Sequence, residues 1–164
     1  MDKDALITHI EAALRTIVHP RFYKTERGFQ GELLAALREV IPRDLLPEPA
    51  IIEQEYQKRL DRHGLNIRPD IIIHEPFNPT KHAGTDDGNI AVIELKRNAT
   101  RASAEGDFAS LVSMMDVLAY PIGVFVNIDA GATHADALPE AAKGRVTCFA
   151  VYLQDGGVAV VREH

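Results

Sequence analysis

The sequence predicts an α/β fold in which a mixed central sheet is flanked by helices. Helical periodicity fills the first 41 residues, three short runs rich in isoleucine and valine follow, and the later run IGVFVNI is continuously apolar. A run of that kind is typical of a parallel central strand that is buried on both faces. With 164 residues, of which 46% are hydrophobic and 26% charged, the chain is expected to form one domain over residues 1–164.

The helices are predicted from apolar residues that recur every three or four positions. Residues near 4–18 show this spacing, and FQGELLAALREVI repeats it. Prolines follow both segments, in His19-Pro20 and Ile41-Pro42, and each is expected to end its helix. Two further helices are predicted, near residues 104–119 and, as a short one, near 133–143.

The strands are predicted from short β-branched runs that are bounded by turn residues. The runs are 50–58, 66–74, 89–97, 122–128, and the pair VTCFAVYL and GVAVVR around the turn QDGG. The first three are expected to pair as hairpins, with residues 75–88 as a long connection. The last two are expected to form a C-terminal hairpin.

Composition narrows the classes of function. No apolar run reaches the length of a membrane helix and the N-terminus does not resemble a signal peptide, so a cytoplasmic protein with no membrane partner is expected. The formal net charge of −6 argues against indiscriminate nucleic-acid binding. Positive charge is nevertheless clustered at two places: Lys58, Arg59, Arg62, His63 and Arg68, and then Lys96, Arg97 and Arg101.

The stretch RPDIIIH contains an acid, Asp70, directly before three isoleucines. A lone carboxylate beside a buried strand costs several kcal/mol to desolvate unless a partner, a proton or a cation compensates it. The sequence therefore predicts a partner for Asp70.

The next strand, NIAVIELKR, supplies candidates for that partner. Alternate side chains of a strand share a face, so Glu94 and Lys96 lie on one face, and an antiparallel pairing brings Asp70 near both. Two adjacent carboxylates repel unless a divalent cation lies between them, and oxygen ligands suit magnesium. Metal, water and phosphate are the components of phosphodiester hydrolysis.

Pro69-Asp70 followed by Glu94-Leu95-Lys96 resembles the PD-(D/E)xK motif of the restriction-endonuclease-like nuclease superfamily. The resemblance covers roughly residues 26–128 and includes the order of elements, an αβββαβ core. It implies that the N-terminal helix and the C-terminal hairpin are additions to this core.

The resemblance also implies roles for particular residues. Asp70 and Glu94 would bind Mg²⁺, or Mn²⁺ in its place, with the Leu95 carbonyl as a further ligand, and Lys96 would serve the attacking water. Many members carry a glutamate on the helix before the first strand; Glu32 is the first match for it and Glu26 the second. The arginines that would hold a nucleic-acid backbone are Arg59, Arg62, Arg68, Arg97 and Arg101.

The function expected from these residues is hydrolysis of DNA phosphodiester bonds by a Mg²⁺-dependent nuclease, in a restriction, defence or repair setting. Many members of the superfamily act as dimers, so the resemblance is compatible with a homodimer or a larger complex. It is equally compatible with an enzyme that is active only with a partner. Two alternatives stand beside it. In the first, Asp70 and Glu94 form ordinary salt bridges with Lys96. In the second, the chain is a catalytically silent module that binds nucleic acid or a protein. Asp107 and Asp116, on the later helix, are expected to be surface or capping residues.

Overall fold

The computed structural model describes residues 2–54, 67–84 and 86–164. Within these ranges it contains three α-helices and six strands. The helices are α1 (Lys3–Arg15), α2 (Glu26–Val40) and α3 (Arg101–Val117). The strands are β1 (Ile51–Gln54), β2 (Ile71–His74), β3 (Asn89–Arg97), β4 (Ile122–Ile128), β5 (Val146–Gln154) and β6 (Gly157–Glu163).

The six strands form one mixed sheet in chain order, β1-β2-β3-β4-β5-β6. The pairs β1-β2, β2-β3 and β5-β6 are antiparallel, whereas β3-β4 and β4-β5 are parallel. The α/β class, the mixed sheet, a helix at the N-terminus and a hairpin at the C-terminus are therefore confirmed. The elements from α2 to β4 follow one another in the predicted order.

The sheet separates two hydrophobic cores. One core contains the apolar faces of α1 and α2, and the other contains that of α3. The isoleucines of RPDIIIH serve both, because Ile71 and Ile73 pack in the first core and Ile72 in the second, and all three are fully buried. A strand covered on both faces reads as a continuous apolar run, which explains this part of the sequence.

The second predicted strand and the last predicted helix differ from the structure. The strand expected from residue 66 begins only at Ile71, and Asp70 lies in a bend before it. Pro69 cannot donate a ladder hydrogen bond, which disfavours an earlier start. The short helix expected near 133–143 is instead two 3₁₀ turns, Ala135–Ala137 and Glu140–Ala142, separated by Pro139.

The start of α3 is fixed by a capping box. The Thr100 side chain accepts from the Ser103 N–H, and the Ser103 hydroxyl accepts from the Thr100 N–H. This pair satisfies two backbone donors at the helix start and places the first residue of α3 at Arg101, three residues before the predicted start. Among the described helices, none has both the length and the apolar character that crossing a membrane requires.

Candidate active site

Asp70, Glu94 and Lys96 lie together where β3 extends beyond the end of β2. The ladder pairs Ile71 with Ile93, so Asp70, the next residue outward, is level with Glu94. The Asp70 Oδ2 accepts a hydrogen bond of 2.7 Å from the Leu95 N–H. The side chain of Asp70 thus takes the place of a ladder partner that β2 no longer provides.

The backbone of Asp70 is also fixed. The amide Nε2 of Gln30, on α2, donates to the Asp70 carbonyl oxygen over 2.6 Å, and Gln30 is only 4% exposed. Buried polar groups are almost always hydrogen-bonded, so this bond is expected to persist in the folded chain. Gln30 of α2 therefore restrains the backbone of Asp70.

The carboxyl groups of Asp70 and Glu94 interact directly. Burial raises the pKa of Glu94 well above its usual range, and the negative charges of Asp70 and Asp107 raise it further. Burial also raises the pKa of Asp70, while the hydrogen bond from the Leu95 N–H opposes this shift. Two acids in this position favour a shared proton or a cation between them.

Lys96 continues the same face of β3 and meets an acid from α3. Its Nζ lies 3.8 Å from the Asp107 Oδ2. Burial raises the pKa of Asp107 to about 6, although Lys96 lowers it. Within the described part of the chain, this Oδ2 is buried and has no hydrogen-bond partner.

The sequence interpretation of Asp107 as a surface or capping residue is therefore wrong. Asp107 follows Ala104 by three positions and precedes Leu111 by four, and both of those residues are fully buried. The spacing places Asp107 in the stripe of α3 that faces the sheet. A charged residue inside an apolar stripe was the signal that could have identified it.

Of the two candidate glutamates, the structure places Glu26 next to this group, and Glu32 does not join it. Glu26, at the first residue of α2, accepts a 3.1 Å hydrogen bond from the Arg97 N–H. Its charge also raises the pKa of both Asp70 and Asp107. Glu32 lies six residues later, which is about 9 Å along the helix and on another face. Of the two matches, Glu26 is therefore the one that contacts this group in the structure.

The predicted nucleic-acid contacts are only partly described. Arg59 and Arg62 lie outside the described residues, and Arg68 is exposed just before Pro69. The Arg97 guanidinium donates to the Tyr23 carbonyl and pairs with Asp129, each at 2.7 Å.

Arg101 pairs with Glu105 and Asp136. A phosphate would therefore have to compete with carboxylates for both Arg97 and Arg101. The role of the five arginines in nucleic-acid binding stays a prediction.

The donor set fits a hard divalent cation that is completed by water. Among the described residues, no three His, Cys, Asp or Glu side chains group tightly enough to hold a metal by themselves. The expected set needs only two carboxylates, because the third ligand is the Leu95 carbonyl. The N–H and C=O of one strand residue project to the same side, so this carbonyl faces the side on which Asp70 meets the Leu95 N–H. Burial raises the pKa of both Asp70 and Glu94, and the negative charge of Asp70 raises that of Glu94 further. A cation bound between the two carboxylates would favour their charged forms.

Comparison with known proteins gives one structural likeness and no family. No protein-family model matches the sequence, and no curated protein matches it. The chain is similar to a solved structure of Pyrococcus furiosus SfsA in complex with Ca²⁺, with a TM-score of 0.40 and 18% identity. The match covers 82% of this chain and 62% of SfsA, so the chain spans about three fifths of that protein's length. A likeness of this degree assigns neither an activity nor a ligand to the chain.

Proposed function

We propose that this chain is a Mg²⁺-dependent nuclease with a restriction-endonuclease-like αβββαβ core, and that it hydrolyses phosphodiester bonds of DNA. The observation that carries the proposal is that Asp70, directly before β2, lies beside Glu94 and Lys96 of β3 at the point where β3 extends past β2. This arrangement agrees with the PD-(D/E)xK resemblance in residue types, element order and face.

The residues that would hold the metal are Asp70 and Glu94 through their carboxylates and Leu95 through its carbonyl. When bound there, Mg²⁺ would supply charge neutralisation at the phosphate and a lowered pKa for a coordinated water. Glu26 adds negative charge at the same edge and replaces Glu32 in the proposed site.

The chain's own groups account for orientation. The Leu95 N–H and the Gln30 amide fix the side chain and backbone of Asp70. Lys96, with its side chain about one-third exposed, offers N–H donors to a water that attacks the phosphorus and balances charge in the transition state. Groups held in place before the reaction contribute most, because they need no reorganisation during it.

The test is cleavage of supercoiled plasmid, linear duplex, single-stranded DNA and RNA by the purified chain with Mg²⁺ or Mn²⁺. Glu94→Gln and Lys96→Met are each expected to lower the rate by about 100-fold or more. Glu140→Gln and Lys143→Met are matched controls, because these residues form an exposed pair on the surface. The controls should cut at the wild-type rate.

Absence of cleavage on every substrate would reject the enzymatic proposal for the isolated chain. Calorimetric titration with Mg²⁺ then separates the alternatives, because a silent binding module need not bind the ion. The defence or repair setting, the homodimer and the cytoplasmic location stay predictions of the sequence.

A further inference from the structure

The carboxylate of Asp107 occupies a position where α3 otherwise presents apolar side chains to the sheet. Its neighbours in the stripe, Ala104, Phe108 and Leu111, are fully buried, whereas the side chain of Asp107 is 20% exposed. Burying a carboxylate without a partner costs several kcal/mol. The positive charge of Lys96, 3.8 Å from the Asp107 Oδ2, offsets part of this cost.

The geometry of this contact differs from the chain's surface ion pairs. Asp116 on the same helix pairs with Arg145 at 2.8 Å, and its side chain is 53% exposed. The Asp107–Lys96 separation of 3.8 Å is longer than a hydrogen bond. Asp107 can therefore attract the ammonium group without consuming its N–H donors, which stay available to a water or a phosphate oxygen.

We infer that Asp107 is a positioning residue of the active site, holding the Lys96 ammonium beside the Asp70–Glu94 pair. The inference rests on the proposed function for its consequence in catalysis, but the restraint on Lys96 is a property of the chain itself. A lysine side chain has four rotatable bonds and loses substantial entropy when it is held. An acid fixed on α3 supplies the restraint that the strand alone does not.

The first arm of the test measures cleavage kinetics for Asp107→Asn, Asp107→Glu and the control Asp116→Asn. Asp107→Asn should lower kcat by up to about 100-fold and leave KM nearly unchanged, because a misplaced group costs rate more than binding. Asp107→Glu should recover part of the rate, since it restores the charge. Asp116→Asn should match the wild type. An Asp107→Asn enzyme with the wild-type kcat would overturn the inference.

The second arm does not depend on activity. NMR relaxation of ¹³C-labelled lysine methylenes measures the order of the Lys96 side chain, which is assigned by its loss in Lys96→Met. In the wild-type chain Lys96 should be more ordered than the exposed Lys143, and Asp107→Asn should remove the difference.

Equal order for Lys96 and Lys143 in the wild type would overturn the inference even if Asp107→Asn failed to fold. If the wild type cuts no nucleic acid, the proposed nuclease function fails. The NMR comparison then still decides whether Asp107 restrains Lys96.

Discussion

Replacing Asp107 by asparagine is expected to stabilise the fold at neutral pH, although the same change should impair catalysis. Burial raises the pKa of the Asp107 carboxyl to about 6 from an ordinary value of 3.8. Between these two pH values the folded chain binds more protons at this site than the unfolded chain, so stability falls as pH rises. The contribution is fully present below the unfolded pKa and is lost once pH passes the folded pKa. Asparagine carries no charge and avoids this loss.

The magnitude follows from the shift in pKa. A rise of about two units corresponds to at most about 3 kcal/mol of lost stability above the folded pKa. The side chain keeps some contact with solvent, which screens charge, so about 1–2 kcal/mol is the expected gain in Asp107→Asn. Asp107 also raises the pKa of Glu94, and its removal therefore acts in the same direction.

The assay is urea denaturation of the wild type and Asp107→Asn at about pH 4.5, 6 and 8, with free energies taken by linear extrapolation. The stability difference should be smallest at the lowest pH and grow towards the highest. Asp116→Asn is the control, because Asp116 lies on the same helix but is exposed. A difference that is independent of pH, or a less stable Asp107→Asn protein at about pH 8, would refute the reasoning.

Three further predictions concern the metal and the residues that build the site. Mg²⁺ or Mn²⁺ should raise the melting temperature of the wild type but not of Asp70→Asn, as measured by calorimetry. The rise should be larger at about pH 8 than at about pH 5.5, because the carboxylate ligands must lose their protons to bind the metal. Gln30→Ala should lower the free energy of unfolding by about 1–3 kcal/mol, since the Asp70 carbonyl loses its donor, and should also slow cleavage. Asn127→Leu should cost about 2–4 kcal/mol by urea denaturation, because the buried amide serves both the Ala99 N–H and the Ala132 carbonyl.

Each of these predictions has a contrary outcome. An equal metal-induced rise in Asp70→Asn would exclude Asp70 as a ligand. Wild-type stability in Gln30→Ala or Asn127→Leu would mean that water replaces the lost hydrogen bonds without cost.

The core triad was predictable because strand geometry is regular. Alternation on β3 puts Glu94 and Lys96 on one face, and antiparallel pairing with β2 fixes the level of Asp70. The prediction that Asp70 lies within the strand was wrong, since this residue precedes β2 and its side chain bonds to the backbone of β3.

The helical contributions were not predictable in the same way. Whether Glu26 or Glu32 approaches the sheet depends on the rotation of α2 against the first core, which no residue of α2 specifies alone. Likewise, Arg97 and Asp129 are 32 positions apart in the sequence. They form an ion pair because the parallel pairing of β3 and β4 brings the ends of these strands together. Charge clusters in the sequence show where cations lie, but they do not show which are already engaged.

The bond between the Leu95 N–H and the Asp70 carboxylate gives the site its own reporter. Most strand amides bond to a neighbouring backbone, and their hydrogen exchange follows the opening of the ladder. The Leu95 amide is held by a side chain instead, so its deuterium exchange rate should follow the departure of that carboxylate while the Ile93 amide stays protected. The ratio of the intrinsic to the observed exchange rate of the Leu95 amide gives the free energy of opening the site, and slower exchange at Ile93 shows that the sheet stays folded in that opening. Both rates can be measured on the unmodified protein.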